Sequence, residues 1–391
     1  MRYDLLIRGG EVIDPSQNVR EVRDVAVVDG RIAAVEPRID VEARVTLDAR
    51  GLLVVPGLID LHVHVYRDHT PWGVEPDPIM AAGGVTTMLD TGSAGSSNFA
   101  GFRRDVIDRS RAEILALVNL SSIGLTSFNV GELFDRRYAD PRGVVETIRR
   151  HPDAAVGVKI RASEHIIGSG RQGWDNLRDA IRAARESGTW LMVHIGHTPM
   201  SLPEIVAELQ PGDCITHCFR GGPQTIFAAD GRVFDEVRAA AERGIVFDVG
   251  HGMGSFRWEN AEAAAEQGFE PTTISTDLHA FNIEGPVWDM PTTMAKFLYL
   301  GVPLERVIEM TTLRPARVLG RSDDLGTLKV GTPADIAVLE LIEGRFTLTD
   351  SHGTTRIGRQ MLRAAATVKR GRLLHGGGRF PFERQLEAAG Q

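Results

Sequence analysis

The segment Pro56-Gly-Leu-Ile-Asp60-Leu-His62-Val-His64 holds the most evident chemistry in the chain. In a strand, alternate side chains share a face, so Asp60, His62 and His64 are expected on one side and Leu61 and Val63 on the other. Two imidazoles at that spacing, at the carboxyl end of a strand, can grip one divalent ion. A bare His-x-His is weak evidence by itself, so the other β-rich runs carry weight. Val156-Gly-Val-Lys159-Ile-Arg161, Met192-Val-His194-Ile, Ile215-Thr-His217-Cys218 and Ile274-Ser-Thr-Asp277-Leu-His279 each end in a histidine, lysine or aspartate. They are either satisfied polar residues at strand ends or ligands delivered to one place.

Something must bring them together. Strand candidates occupy 58–64, 85–91, 114–121, 155–161, 190–195, 214–219, 245–250 and 272–277. Helical patterns at 101–111, 142–151, 176–187, 202–208, 234–243 and 259–267 lie between several of them. Alternating strand and helix is the signature of a parallel α/β sheet. Eight repeats favour a closed (β/α)8 TIM barrel over an open doubly wound sheet, and barrel enzymes build their sites at the carboxyl ends of the strands. Short strands also occupy 1–53, with Asp29-Gly30 as a hairpin turn, and recur after 333. The expected organisation is a small β-sandwich domain from 1–53 and 321–391 around a barrel of 54–320.

Lys159 is unusual in such a barrel. Burial and neighbouring positive charge lower the pKa of an ammonium. The neutral amine can add carbon dioxide to give a carbamate, whose two oxygens can bridge two metals. A lysine paired with a buried carboxylate is the alternative. Cys214 and Cys218 flank His217, but strand alternation turns both away from it, so they are expected to pack barrel against helix. Residues 92–98, Gly-Ser-Ala-Gly-Ser-Ser-Asn, lack the lysine of a phosphate loop and suit a barrel mouth.

Composition narrows the classes. The chain has 391 residues, 42% hydrophobic and 25% charged, which is ordinary for a folded protein. Its net charge of −8 and the lack of a basic run argue against nucleic acid as a partner. No apolar run is long enough to span a membrane, and the start does not resemble a signal peptide. Two cysteines cannot build a disulfide framework, so a cytoplasmic protein is expected.

Taken together, these residues resemble the amidohydrolase superfamily in its dihydroorotase-like branch. The resemblance runs over nearly the whole chain. It includes Gly9-Gly10-Glu-Val-Ile-Asp14, the His62/His64 segment, Thr311-Thr-Leu-Arg-Pro-Ala-Arg-Val-Leu-Gly320, Gly326-Thr-Leu-Lys-Val-Gly331 and Ala334-Asp335. It implies a binuclear centre of two divalent ions, usually zinc. His62 and His64 would hold the more buried ion, and His194 and His217 the more exposed one. Lys159 would be the CO2-derived carbamate bridge. Asp277 would ligate the buried ion and handle the proton of a bridging hydroxide.

Dihydroorotases typically place an arginine two residues after the second histidine to hold the substrate carboxylate. Here Tyr66 has that position and Arg67 comes one residue later. Segments 159–163, 216–221 and 250–252 are more similar to members that act on acylated small carboxylic acids, at N-acetyl amides or O-acetyl esters. Arg161, on the face of Lys159, could clamp a carboxylate bidentately. Arg220, His251 and His279 are the other expected substrate contacts. The alternatives are a cyclic amidase of dihydroorotase or hydantoinase type and a catalytically inactive scaffold. A small-molecule substrate is expected, and homo-oligomers are common among such folds.

Overall fold

The computed structural model describes residues 2–381. The chain opens with strands Tyr3–Asp14 (β1), Val19–Val28 (β2), Arg31–Glu36 (β3), Ala43–Asp48 (β4) and Leu53–Pro56 (β5). Then come Leu58–Val63 (β6), Val85–Gly95 (β7), Glu113–Asn119 (β8), Ala155–Arg161 (β9), Trp190–His194 (β10), Cys214–Thr216 (β11) and Val246–Asp248 (β12). It closes with Ile336–Thr349 (β13), Thr355–Lys369 (β14) and Arg372–His375 (β15). Asp29 and Gly30 both take positive φ, 49° and 72°, the backbone that a tight two-residue hairpin between β2 and β3 requires.

Strands β6 to β12 lie side by side in chain order and pair in parallel. The expected eighth strand at 272–277 forms no continuous ladder, and Asp277 at its end leaves the extended region at φ 49°. Single parallel bridges still join Thr273 to Asp248 and Leu278 to Val63, which closes the (β/α)8 barrel. Two buried aspartates reinforce this seam. Thr276 donates to Asp60 through its amide at 3.0 Å and its hydroxyl at 2.5 Å. Thr273 and Ser275 donate their hydroxyls to Asp248, each at 2.7 Å.

Outward-facing Val158, Ile160, Leu191, Val193 and Ile215 pack under the surrounding helices in the main core. Helices Pro141–Arg150, Leu202–Glu208, Asp235–Glu242 and Trp258–Glu266 fall within a residue of where the periodicity places them, whereas Gly170–Ser187 starts six residues before the expected 176. The expected helix at 101–111 is instead a short turn, Phe99–Phe102, running into a π-helical turn, Arg103–Ile107. Helix Met290–Tyr299 carries no amphipathic signal, because its first eight residues are all buried.

An inner apolar layer of Leu61, Leu89, Leu115, Leu117, Met192, Cys214 and Val246 fills the barrel below the site. Two alternation arguments fail here. Pairing between β6 and β7 slips between Asp60 and Val63, so Leu61 joins the interior layer. Cys214 also packs in that layer and not against a helix, while Cys218 lies in the outer core. His217 has φ 74°, which breaks the two-residue rhythm and lets Thr216 and His217 both serve the site.

The chain ends form one sheet in the order β15-β14-β13-β5-β1-β2-β3, with β4 paired to β1. Ile7, Val25, Ile32, Val54, Val338 and Val368 from six of these strands share one core, so the sheet curls around it. Each such fully buried side chain contributes roughly 1.5–3 kcal/mol. β5 belongs to this sheet although residues 54–56 were expected with the barrel, and residues 382–391 of the expected C-terminal piece lie outside the described residues. The β13–β14 hairpin runs on to the barrel, where Phe346, Leu348 and Met361 join the main core. The indole N–H of Trp258 donates to the Leu348 carbonyl at 3.3 Å. Among the described residues no helix is long and apolar enough to cross a membrane.

Candidate metal centre and active site

The end of β6 delivers His62 and His64, and the seam strand delivers Asp277 between them. Asp277 Oδ1 lies 3.3 Å from His62 Nε2 and 3.3 Å from His64 Nε2. One ligand atom from each of these residues falls within 4.8 Å of the others, a grouping that can hold a cation. The amide of Asp277 donates to the His62 carbonyl at 2.7 Å, and Asn282 donates to the Asp277 carbonyl at 2.7 Å. The aspartate is therefore fixed from both sides in its left-handed backbone.

A second pair stands beside the first. His194, at the end of β10, puts Nδ1 2.8 Å from Nε2 of His217, just past β11. His217 donates its Nδ1–H to the Gly250 carbonyl at 2.7 Å, which leaves Nε2 with its lone pair. Gly250 is required here: a Cβ would meet Thr216 Oγ1 at 2.4 Å and His217 Nδ1 at 2.8 Å. The rings of His62 and His217 have centroids 5.0 Å apart, so the two pairs are adjacent. Lys159 rises from β9 beside His62, with Nζ 3.3 Å from His62 Nε2 and 3.2 Å from Met192 Sδ. The six residues expected as ligands from the sequence thus lie side by side, and His62, His64 and Asp277 form the grouping compact enough for a cation.

Burial dominates their electrostatics. It pulls His64 and His217 down to about 4 and holds His62 and His194 well below the usual imidazole value. All four rings are neutral at pH 7 and present lone pairs. Burial also lowers Lys159 to about 8, against an opposing pull from the Asp277 carboxylate, so a useful fraction of neutral amine exists near neutrality.

A cavity of about 240 Å3 opens above these residues. Arg161, Arg220 and His279 line it, together with Trp72, Ser163, His165 and His197. Arg161 is already engaged: its Nε and Nη2 donate to the two oxygens of buried Glu132 at 2.9 and 3.0 Å. Arg220 is different. It is only 8% exposed, it donates to the Gln224 carbonyl at 2.9 Å, and no carboxylate pairs with it among the described residues. His279 sits edge-on to Trp72 at 4.9 Å between centroids, and burial lowers it to about 4.

His251 does not line the cavity. Its Nε2 accepts from buried Lys296 at 2.6 Å, and its ring stacks on Phe256 at 4.7 Å. Tyr66 is also turned away, stacked on His69 at 4.4 Å, and Arg67 pairs with Glu75 at 2.8 Å near the surface. Sequence reasoning missed Trp72, Glu132, His165, Thr216 and Asp248. None has a recurring partner spacing that could have singled it out. Ser93 meets His64 Nδ1 at 2.9 Å; it lies in β7, which extends to Gly95 and so takes in the first half of the segment expected as a mouth loop.

The sequence profile of the amidohydrolase family matches residues 53–371. A deacetylase of Agrobacterium fabrum (strain C58) is 40% identical over 83% of this chain and 80% of its own. A deacetylase of Enterococcus faecalis (strain V583) is 35% identical over 95% of this chain and 99% of its own. A crystal structure of a dihydroorotase superposes with a TM-score of 0.89 at 34% identity, covering 96% of this chain and 100% of that one. With the profile spanning residues 53–371, which include the barrel and the residues gathered at its mouth, the chain belongs to the amidohydrolase family.

Proposed function

We propose that this chain is a binuclear metal-dependent hydrolase that removes the acyl group of an acylated small carboxylic acid, at an N-acetyl amide or an O-acetyl ester. One observation carries this reading: His62, His64, Lys159, His194, His217 and Asp277 converge beneath one cavity. The donor set fits a metal. The rings of His62, His64 and His217 are anchored through Nδ1, which leaves Nε2 available. Imidazole and carboxylate donors suit zinc. His62, His64 and Asp277 would hold one ion, His194 and His217 the other, and Lys159 as its carbamate would bridge them. Such ions polarise the scissile carbonyl and lower the pKa of water.

The chain's own groups supply the rest. Asp277 is placed to accept the proton of the attacking water on a carboxylate oxygen and pass it to the departing amine or alkoxide. Arg220, a buried guanidinium without a carboxylate partner, receives the substrate carboxylate. Arg161 is held by Glu132 and forms the cavity wall. Two relatives named deacetylases support acetyl as the acyl group. Dihydroorotate is disfavoured, because neither Tyr66 nor Arg67 reaches the cavity.

Metal analysis of the purified protein, with a panel of N-acetyl amino acids, O-acetyl hydroxy acids, dihydroorotate and a hydantoin, tests the proposal. About two equivalents of metal and acetate release from the acyl acids are expected. Turnover of dihydroorotate or the hydantoin alone would favour a cyclic amidase. A protein with no metal and no turnover would be a scaffold.

A further inference from the structure

Two buried residues touch the metal centre without being ligands. Asp248, at the end of β12, has no exposed surface, and its Oδ2 accepts from the Thr216 hydroxyl at 2.8 Å. Thr216 Oγ1 in turn lies 2.9 Å from His62 Nδ1. We propose that Asp248, acting through Thr216, is a positioning residue that fixes the proton of His62 on Nδ1 and thereby sets the affinity for the buried cation; the inference rests on the metal reading above.

The proton count leads there. A carboxylate only accepts, and Asp248 is served by three hydroxyls, those of Thr216, Thr273 and Ser275. Thr216 has one proton and gives it to Asp248. Its oxygen can then only accept from His62, so Nδ1 carries the hydrogen and Nε2 keeps its lone pair. Nε2 is the atom that faces Asp277 Oδ1 and Lys159 Nζ, each at 3.3 Å. A carboxylate one hydroxyl behind the ring also raises the basicity of the metal-facing nitrogen.

The two metal positions are therefore backed differently. His62 leans on a carboxylate through a hydroxyl, whereas His217 leans on a backbone carbonyl. Adjacent residues at the end of β11 serve both, Thr216 for the buried position and His217, just past the strand, for the exposed one. The left-handed turn at His217 makes this double use feasible.

Asp248 also ties the barrel seam, so the test must separate that role from the relay. Thr216→Val keeps the side-chain shape, leaves the Thr273 and Ser275 bonds in place and removes only the relay hydroxyl. Thr216→Ser restores it. The apo protein is titrated with cobalt, whose visible spectrum reports ligand geometry, and with zinc against a competing chelator. The relay predicts a loss of roughly 10- to 100-fold in affinity at one of two sites in Thr216→Val, with the other unchanged and with recovery in Thr216→Ser.

Wild-type affinity at both sites in Thr216→Val would overturn the relay. Equal weakening of both sites would overturn it too, since that marks a general structural effect. Should Thr216→Val fail to fold, Asp248→Asn is titrated instead, with the same selective loss expected and unchanged affinity again refuting. A wild-type protein that binds no divalent ion would sink the metal reading itself, which separates that failure from failure of the relay.

Discussion

Replacing Arg220 with methionine should damage one interaction with the substrate and little else. The guanidinium is 8% exposed, has a backbone carbonyl as its protein acceptor and pairs with no carboxylate among the described residues. Burial without a counter-charge lowers its pKa and costs stability, so an unbranched, apolar methionine should leave the melting temperature equal or higher. A hydrogen bond to a charged group is worth about 1.5–3 kcal/mol, or roughly 10- to 150-fold in kcat/KM. Arg161→Met should behave in the opposite way. It strands the Glu132 carboxylate, whose side chain is 2% exposed, and breaking a buried pair costs about 3–5 kcal/mol of stability. The assay compares kcat/KM for an N-acetyl amino acid with that for its carboxamide, in wild type and both variants, alongside thermal melts. Arg220→Met should erase the preference for the acid and spare the amide. Equal losses on acid and amide, or a stable Arg161→Met that loses the acid preference instead, would refute the assignment.

Asp277→Asn should keep the fold and lower kcat by about 10²- to 10⁴-fold, as expected for loss of a proton-transfer group; wild-type turnover would remove it from the mechanism. Gly252→Ala should lower kcat by on the order of 10²-fold through displacement of that aspartate, since its Cβ would lie 2.5 Å from Asp277 Oδ2 in a backbone at φ 54°; an unchanged kcat would show that the carboxylate is not confined there. Trp258→Ala should destabilise the protein by about 3–5 kcal/mol, because a fully buried indole joins barrel to hairpin; urea melts check it. Acid should weaken the metal-free protein over a defined window. Unfolded histidines take up protons below 6.5, whereas buried His64 and His217 do so only near about 4, so stability is full above 6.5 and falls as pH drops from 6.5 towards 4. Urea midpoints that stay flat across that window would contradict the buried, neutral state of these rings.

Much of the barrel, and the strand ends that carry the six residues expected as ligands, were legible because they depend on short-range pattern. Strand 155–161 and helix 202–208 match their expected limits, since a β-rich run and an amphipathic stripe each declare themselves within a few residues. The misreadings arose where backbone geometry departs from the regular. A slip between Asp60 and Val63 turned Leu61 inward, and the left-handed turn at His217 undid the alternation that sent Cys214 outward. Helix Met290–Tyr299 left no trace because periodicity reports a boundary between core and water, and this helix has almost none.

The choice between the arginines shows the same division. Residue type and the two-residue spacing from Lys159 made Arg161 the first candidate for a carboxylate clamp. Glu132, 29 positions away in sequence, claims its fork, and that pairing is a fact of folding alone. His251 is diverted in the same way by Lys296, 45 positions on. Order along the chain determined which side chains reach the mouth of the barrel, because strand ends and their polar residues are local features. Tertiary structure decided which of those side chains remain free, because a charge or a lone pair is available only when no partner from a distant segment has satisfied it.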